Sequence, residues 1–378
     1  MTKNYPKTKT AILASALCAV IVALTVMSAV LLTGCVTPIS EYEVNTDNTK
    51  YGLWWYGPDG EDGEMLRASS ELPLEYYDPS KPTVVYSHGW KTQGEDEPLT
   101  TVTSALISSN EDWISVDVDY AKALKDAGYN VAYFKWNAYA KQLFSMHRLI
   151  WSKNFTDSAV AAEKADLVDV SLAGEFAREF VTSMQDYEGA PVYFVGHSFG
   201  AQMVTAAAYT LYGMSAMGLL VSDAILPQRI VLADPYIPST GLSGELDITG
   251  ESLSDKNCAQ VFAQAVESMS GSGAAIDLYC GMAIAYKSYG SDEYVDGVLT
   301  EKTNYVLMDG LTQTYGSVGD IHNVTRDWVL YALTEGLGGE KLAFSPNPAQ
   351  TAEQAGSAFG EYSMSGGFDL SDVSLTSR

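Results

Sequence analysis

The chain has 378 residues, 47% of them hydrophobic, and carries 22 Lys and Arg against 47 Asp and Glu, a formal net charge of −25 at pH 7. That excess makes nucleic acid and anionic membrane surfaces poor partners, because both repel a protein of the same sign. The length and apolar content suffice for one large buried core, and no internal repeat is visible.

Lys3, Lys7 and Lys9 precede an uncharged apolar run of 22 residues from Ala11 to Leu32. This is the pattern of an export signal. It closes on Leu32-Thr33-Gly34-Cys35, which resembles the lipobox of bacterial lipoproteins, where the small residue before the cysteine permits cleavage and the thiol carries the lipid. Residues 1–34 then form a lipoprotein signal peptide, and lipidated Cys35 holds the mature chain to a bacterial membrane, facing outside the cytoplasm. The alternative is an uncleaved helix, since a run of this length can span a bilayer. Both readings leave the lysines inside and the rest outside. Loss of the three lysines takes the charge to −28. Of the four cysteines, Cys18 leaves with the signal and Cys35 is acylated, so Cys258 and Cys280 are the candidate disulfide of an oxidising compartment. Two buried, unpaired thiols are the alternative.

Residues 35–50 read as a polar tether. Tyr51–Tyr56 and Glu75–Tyr77 read as early strands around the acidic turn Pro58-Asp59-Gly60-Glu61-Asp62-Gly63. Thr83–Tyr86 is a stronger strand leading into Ser87-His88-Gly89-Trp90. Val116–Lys125 looks helical, and Asn130–Trp136 is the next strand. Val168, Leu172, Phe176, Phe180 and Met184 recur four apart, one face of an amphipathic helix within Ala159–Tyr187. Pro191–Val195 is a strand that enters Gly196-His197-Ser198-Phe199-Gly200, and the small and apolar residues after it predict a helix. Gln228–Ala233 is a further strand, ending at Asp234-Pro235. Residues 236–302 break the rhythm with Gly/Ser-rich stretches around a helix-like piece, Ala259–Met269, and are expected to be a lid-like or cap-like insertion. Thr303–Met308 restores a strand and Val324–Leu333 a helix. Residues 51–337 thus form one domain, and residues 338–378 a loosely ordered tail. Alternation of strand and helix predicts an α/β fold, with a mostly parallel sheet covered by helices on both faces.

Gly196-His197-Ser198-Phe199-Gly200 is a G-x-S-x-G sequence at a strand-to-helix junction, where a sharp turn projects a serine hydroxyl from the edge of a sheet. A serine nucleophile needs a base and an acid to orient it. At such an elbow the chain order is Ser, acid, His. His88, His147 and His197 precede Ser198, which leaves His322 as the base. Two aspartates follow strand-like runs where open α/β sheets place their sites. Asp234 is the preferred acid and Asp309, in an Asp-Gly pair that also suits an ordinary turn, the alternative. The developing oxyanion needs two donors, for which the backbone N–H groups of Phe199 and Trp90 are candidates. Trp136, Tyr139, Phe144 and Trp151 are candidates either for substrate contact or for plain core packing. No HExxH, Cys/His cluster or phosphate loop is present, so neither a metal nor another cofactor is expected.

His88-Gly89-Trp90, the Ser198 pentapeptide, Leu232-Ala233-Asp234-Pro235 and the late His322 together resemble the α/β-hydrolase lipases, in particular the pancreatic-lipase-like branch. The resemblance spans residues 81–337. It implies hydrolysis of carboxylic esters without cofactor and favours Asp234 as the acid, since in that branch the acid follows the strand after the elbow strand. The chain departs from the branch in its lipobox, its insertion and the lack of a C-terminal lipid-interaction domain. The expected partner is a small-molecule or lipid ester. The competing readings are an amidase, thioesterase or acyltransferase using the same residues, or a non-catalytic surface lipoprotein that binds a ligand on this fold.

Overall fold

A computed structural model describes residues 44–45, 50–59, 65–90, 102–107, 113–118, 120–140, 145–154, 167, 169–281, 288–309, 322–323, 325–326, 329–330 and 374–377. The signal, Cys35, Phe144 and most of the expected tail lie outside them. The strands are β1 (Gly52–Trp55), β2 (Leu66–Arg67), β3 (Thr83–Ser87), β4 (Val102–Ile107), β5 (Trp113–Val118), β6 (Asn130–Lys135), β7 (Val192–His197), β8 (Arg229–Ala233), β9 (Ala275–Cys280), β10 (Asn304–Asp309) and β11 (Ser374–Ser377). The helices are α1 (Tyr120–Asp126), α2 (Met146–Trp151), α3 (Leu172–Ser183), α4 (Phe199–Ala216), α5 (Cys258–Gly271) and α6 (Glu293–Lys302).

Among the described residues nine strands form one sheet in the order β11-β10-β9-β8-β7-β3-β6-β1-β2, and β4 pairs with β5 apart from it. From β6 to β10 all neighbours in the sheet are parallel, while β1, β2 and β11 each pair antiparallel with the strand before them towards the edge. Every residue of β3, β8 and β9 is buried, as expected of parallel strands covered on both faces. Helix α3 starts at Ser171, whose side chain accepts from Gly174 N–H at 3.0 Å. Its Phe176 and Phe180 each sit 5.1 Å from Phe194 of β7, and Phe176 stacks 4.6 Å from Phe134 of β6. Helix α4 is alanine-rich and buried almost all round, packed between the sheet and α2, α3 and α5. Among the described residues no helix is long and apolar enough to cross a membrane.

Several expectations are corrected. Residues 236–302 are not set apart as an insertion, because β9 lies inside the main sheet between β8 and β10, preceded by α5 and followed by α6. The strand escapes a hydrophobicity reading because Asp277 stands in its middle, where Arg229 forms a buried ion pair with it and Asn304 Nδ2 donates to it at 2.7 Å. Glu75–Tyr77 is not a strand. Tyr76 and Tyr77 both donate their N–H to Pro73 O in a turn, and the Tyr77 ring packs between Trp55 and Tyr187. The helix expected from Val116 begins only at Tyr120, because Trp113, Ser115, Asp117 and their alternating neighbours follow the two-residue period of β5. Within the expected tail, Ser374–Ser377 adds the edge strand β11. Cys258 and Cys280 are separate buried thiols, so the expected disulfide is not formed. The Cys258 thiol instead donates to Gln202 Oε1 at 2.9 Å, and burial raises its pKa well above the ordinary thiol value.

Register brings the functional positions together. Ser87 pairs with Gly196, His197 with Ala233, and Ala233 with Tyr279, so the carboxyl ends of β3, β7, β8 and β9 align along one edge. The residues that leave those four strands are His88, Ser198, Asp234 and Gly281.

Candidate active site

Ser198 joins β7 to α4 with φ +58° and ψ −121°, a conformation that non-glycine residues avoid and that the surrounding packing must impose. Its N–H donates to Ala233 O at 3.1 Å. The glycines around it are required by contact. A Cβ on Gly196 would lie 2.3 Å from Gly200 O, and one on Gly200 would lie 2.1 Å from Ser87 O. A Cβ on Gly89 would lie 2.6 Å from Ser198 Cβ and 3.1 Å from its Oγ. The start of α4 is thus pressed onto the end of β3, and the loop after β3 is pressed onto the serine.

That loop is held from below. The His88 ring stacks 5.2 Å from Trp136, Trp136 Nε1 donates to His88 O at 3.0 Å, and His88 Nδ1 lies 2.7 Å from Gly89 O. Trp90 follows directly and is 44% exposed. Phe199 is the first residue of α4, where N–H groups have no partner within the helix and the helix end is electropositive. These are the two residues whose N–H groups the sequence marks as oxyanion donors.

Asp234 leaves β8 with φ +43° and is fully buried. Its N–H donates to Tyr279 O at 2.7 Å, its Oδ1 accepts from Gly281 N–H at 2.9 Å, and its Oδ2 accepts from His322 Nδ1 at 2.6 Å. Asp234 is thus in contact with His322, and the side chain of Asp309, the alternative acid, lies outside the described residues. With Nδ1–H committed to Asp234, neutral His322 carries its free lone pair on Nε2. His322 is partly exposed and its ring centre lies 4.2 Å from that of His197, the residue before Ser198. A serine, an imidazole and a buried carboxylate are the groups from which a proton relay can be built.

The chain has the α/β-hydrolase fold. The decisive features are the parallel sheet, the strained serine between β7 and α4, and an acid leaving the next strand to meet a histidine from beyond the last parallel strand. No protein-family model and no curated protein sequence matches the chain. Among solved structures it is similar to a poly(3-hydroxybutyrate) depolymerase from Bordetella parapertussis, at 14% identity over 74% of this chain and 84% of that one, with a TM-score of 0.36. It is also similar to esterase B from Lactobacillus rhamnosis, at 13% identity over 85% and 97% of the two chains, with a TM-score of 0.31. A thioesterase domain from the curacin biosynthetic pathway aligns at 11% identity over 68% and 90%, with a TM-score of 0.32. The fold of this chain rests on its own strand order and elbow.

Three parts of the site are not apparent from the sequence. Gly281 N–H fixes the second oxygen of Asp234, a role that becomes visible only once β9 is placed beside β8. His197 and Trp136 are visible as residues, but nothing in their spacing says where their rings go. Trp136, Tyr139 and Trp151 are buried in the core. Among the described residues no group of three or more His, Cys, Asp or Glu side chains is arranged to hold a metal ion.

Proposed function

We propose that this chain is a serine hydrolase that cleaves carboxylic esters through an acyl-enzyme. The observation that carries the reading is Ser198 on its strained elbow together with the 2.6 Å bond from His322 Nδ1 to Asp234 Oδ2, which leaves Nε2 as a base. Ser198 Oγ attacks the ester carbonyl while His322 Nε2 takes its proton. The N–H groups of Phe199 and Trp90 stabilise the oxyanion, each contributing about 3 kcal/mol. The C–O bond to the alcohol then breaks, and the alcohol leaves with the proton from His322. Water, deprotonated by the same nitrogen, attacks the acyl-enzyme and releases the acid. Asp234 remains ionised throughout and stabilises the imidazolium. The signal pattern and Cys35 support export and a lipid anchor on the outer side of a bacterial membrane, an assignment made from the sequence.

The test is turnover of p-nitrophenyl esters of increasing acyl length by the purified chain, with the matching anilides and thioesters beside them. Ester hydrolysis that collapses in Ser198→Ala and His322→Ala supports the reading. Faster turnover of anilides or thioesters assigns the same residues to an amidase or thioesterase. No turnover of any of them by folded protein favours a ligand-binding role.

A further inference from the structure

The base of this site comes from far along the chain. His322 and the nucleophile strand are separated by 125 residues in sequence, so the position of the imidazole depends on whatever ties its backbone to the elbow. Two ties are seen among the described residues. Asp234 holds the ring through Nδ1, and His197 Nε2 lies 3.1 Å from the backbone oxygen of His322. A carbonyl oxygen only accepts, so His197 donates through Nε2–H. The two rings also lie 4.2 Å apart between centres, tilted by 44° to each other.

A ring anchored at one atom can still swing about that hydrogen bond if its backbone shifts. Anchoring the carbonyl of the same residue removes that freedom. The donor is well chosen for the task, because His197 is the buried last residue of β7, paired with Ala233, and is followed at once by Ser198. Nucleophile and base are thereby referenced to adjacent residues of one rigid strand, and the acid to the next strand. A seat of this kind matters because displacement of a reacting group by about 1 Å costs on the order of 100-fold in rate.

We infer that His197 is a positioning residue that sets the catalytic base by donating Nε2–H to the backbone carbonyl of His322. The inference rests on the reading of Ser198 and His322 as nucleophile and base. It assigns the second residue of the elbow pentapeptide a role in the reaction besides packing.

The experiment compares the full-length chain with three substitutions. Gln places an amide donor at the reach of Nε2, Met has the same length and no donor, and Phe keeps a ring and no donor. Kinetics are measured on a p-nitrophenyl ester, and the proton between His322 and Asp234 is followed as a far-downfield NMR resonance. His197→Met and His197→Phe are expected to lose kcat by on the order of tenfold to a hundredfold with KM changed by less than about twofold, and to broaden or lose the resonance. His197→Gln is expected to keep the resonance and stay within about threefold of the parent rate. Equal losses in Gln and Met, or no loss in Met and Phe, would overturn the inference. If the parent protein has no esterase activity, the proposed function fails while the resonance still reports whether His197 seats His322.

Discussion

Gly89→Ala isolates the geometry of the site from its chemistry, because it adds one methyl group and removes no functional atom. Gly89 does not need a positive φ, so alanine meets no backbone strain there. Its Cβ would lie 2.6 Å from Ser198 Cβ. Apolar carbons rest at about 3.5–4.0 Å, so the loop carrying Trp90 or the serine must retreat by about 1 Å. Ser198 has little room to yield, as its N–H is bonded to Ala233 O and its helix starts against Ser87 O. The displacement therefore falls on the distance between nucleophile and oxyanion donors. A shift of that size predicts a loss of about 100-fold in kcat, or roughly 2.7 kcal/mol of barrier. The accompanying loss of folding stability is that of mild overpacking, about 1–3 kcal/mol. Steady-state ester hydrolysis beside thermal unfolding measures both. A variant with kcat within about threefold of the parent would refute the close packing of this loop on the nucleophile.

Asp234→Asn keeps the shape and the bond from Gly281 N–H but turns an amide NH2 towards His322, which forces the wrong imidazole tautomer. A fall in kcat of about 10⁴ is expected, by analogy with the same change in serine proteases, and a loss under tenfold would count against Asp234 as the acid. Burial first, and then the neighbouring Arg148, lower the pKa of His147 from 6.5 to about 4. Between these values the unfolded chain binds a proton that the native chain does not, so stability falls as pH drops from about 6.5 towards 4, by at most about 3 kcal/mol from this group. His147→Gln should flatten the dependence of Tm on pH across that window, and a slope equal to that of the parent would contradict the assignment. Gly297 lies in the interior of α6 with open space where a Cβ would go. Gly297→Ala is expected to stabilise the fold by about 0.5–1 kcal/mol in denaturant unfolding and leave ester turnover unchanged. Destabilisation would mean that α6 is packed more tightly than described.

How legible the molecule is in its sequence depends on which interaction decides each element. The strands around the elbow are apolar on both faces, so their burial and their residue composition agree, and the nucleophile loop follows from glycines that local contact requires. β9 failed that test because a buried ion pair between Arg229 and Asp277 places a charge inside a central strand, and the partners are 48 residues apart. With β9 hidden, α5 and α6 read as an insertion and Gly281 as a loop residue. Glu75–Tyr77 misled in the opposite direction, since its tyrosines serve the core from a turn built on Pro73. The cysteines illustrate a third limit. Compartment chemistry makes a bond between Cys258 and Cys280 plausible, but the thiol direction is set by Gln202, on a helix that no cysteine count reveals. Ser198, Asp234 and His322 are legible as candidates from chain order, whereas the hydrogen bond between Asp234 and His322 exists only in three dimensions.

The most direct test of the account is covalent labelling of the full-length chain with a fluorophosphonate, followed by peptide mass spectrometry. The account predicts one adduct on Ser198, absent from Ser198→Ala and formed far more slowly in His322→Ala and Asp234→Asn. A folded protein that takes no label, or that labels equally well without Ser198, would contradict the claim that this elbow serine is an activated nucleophile.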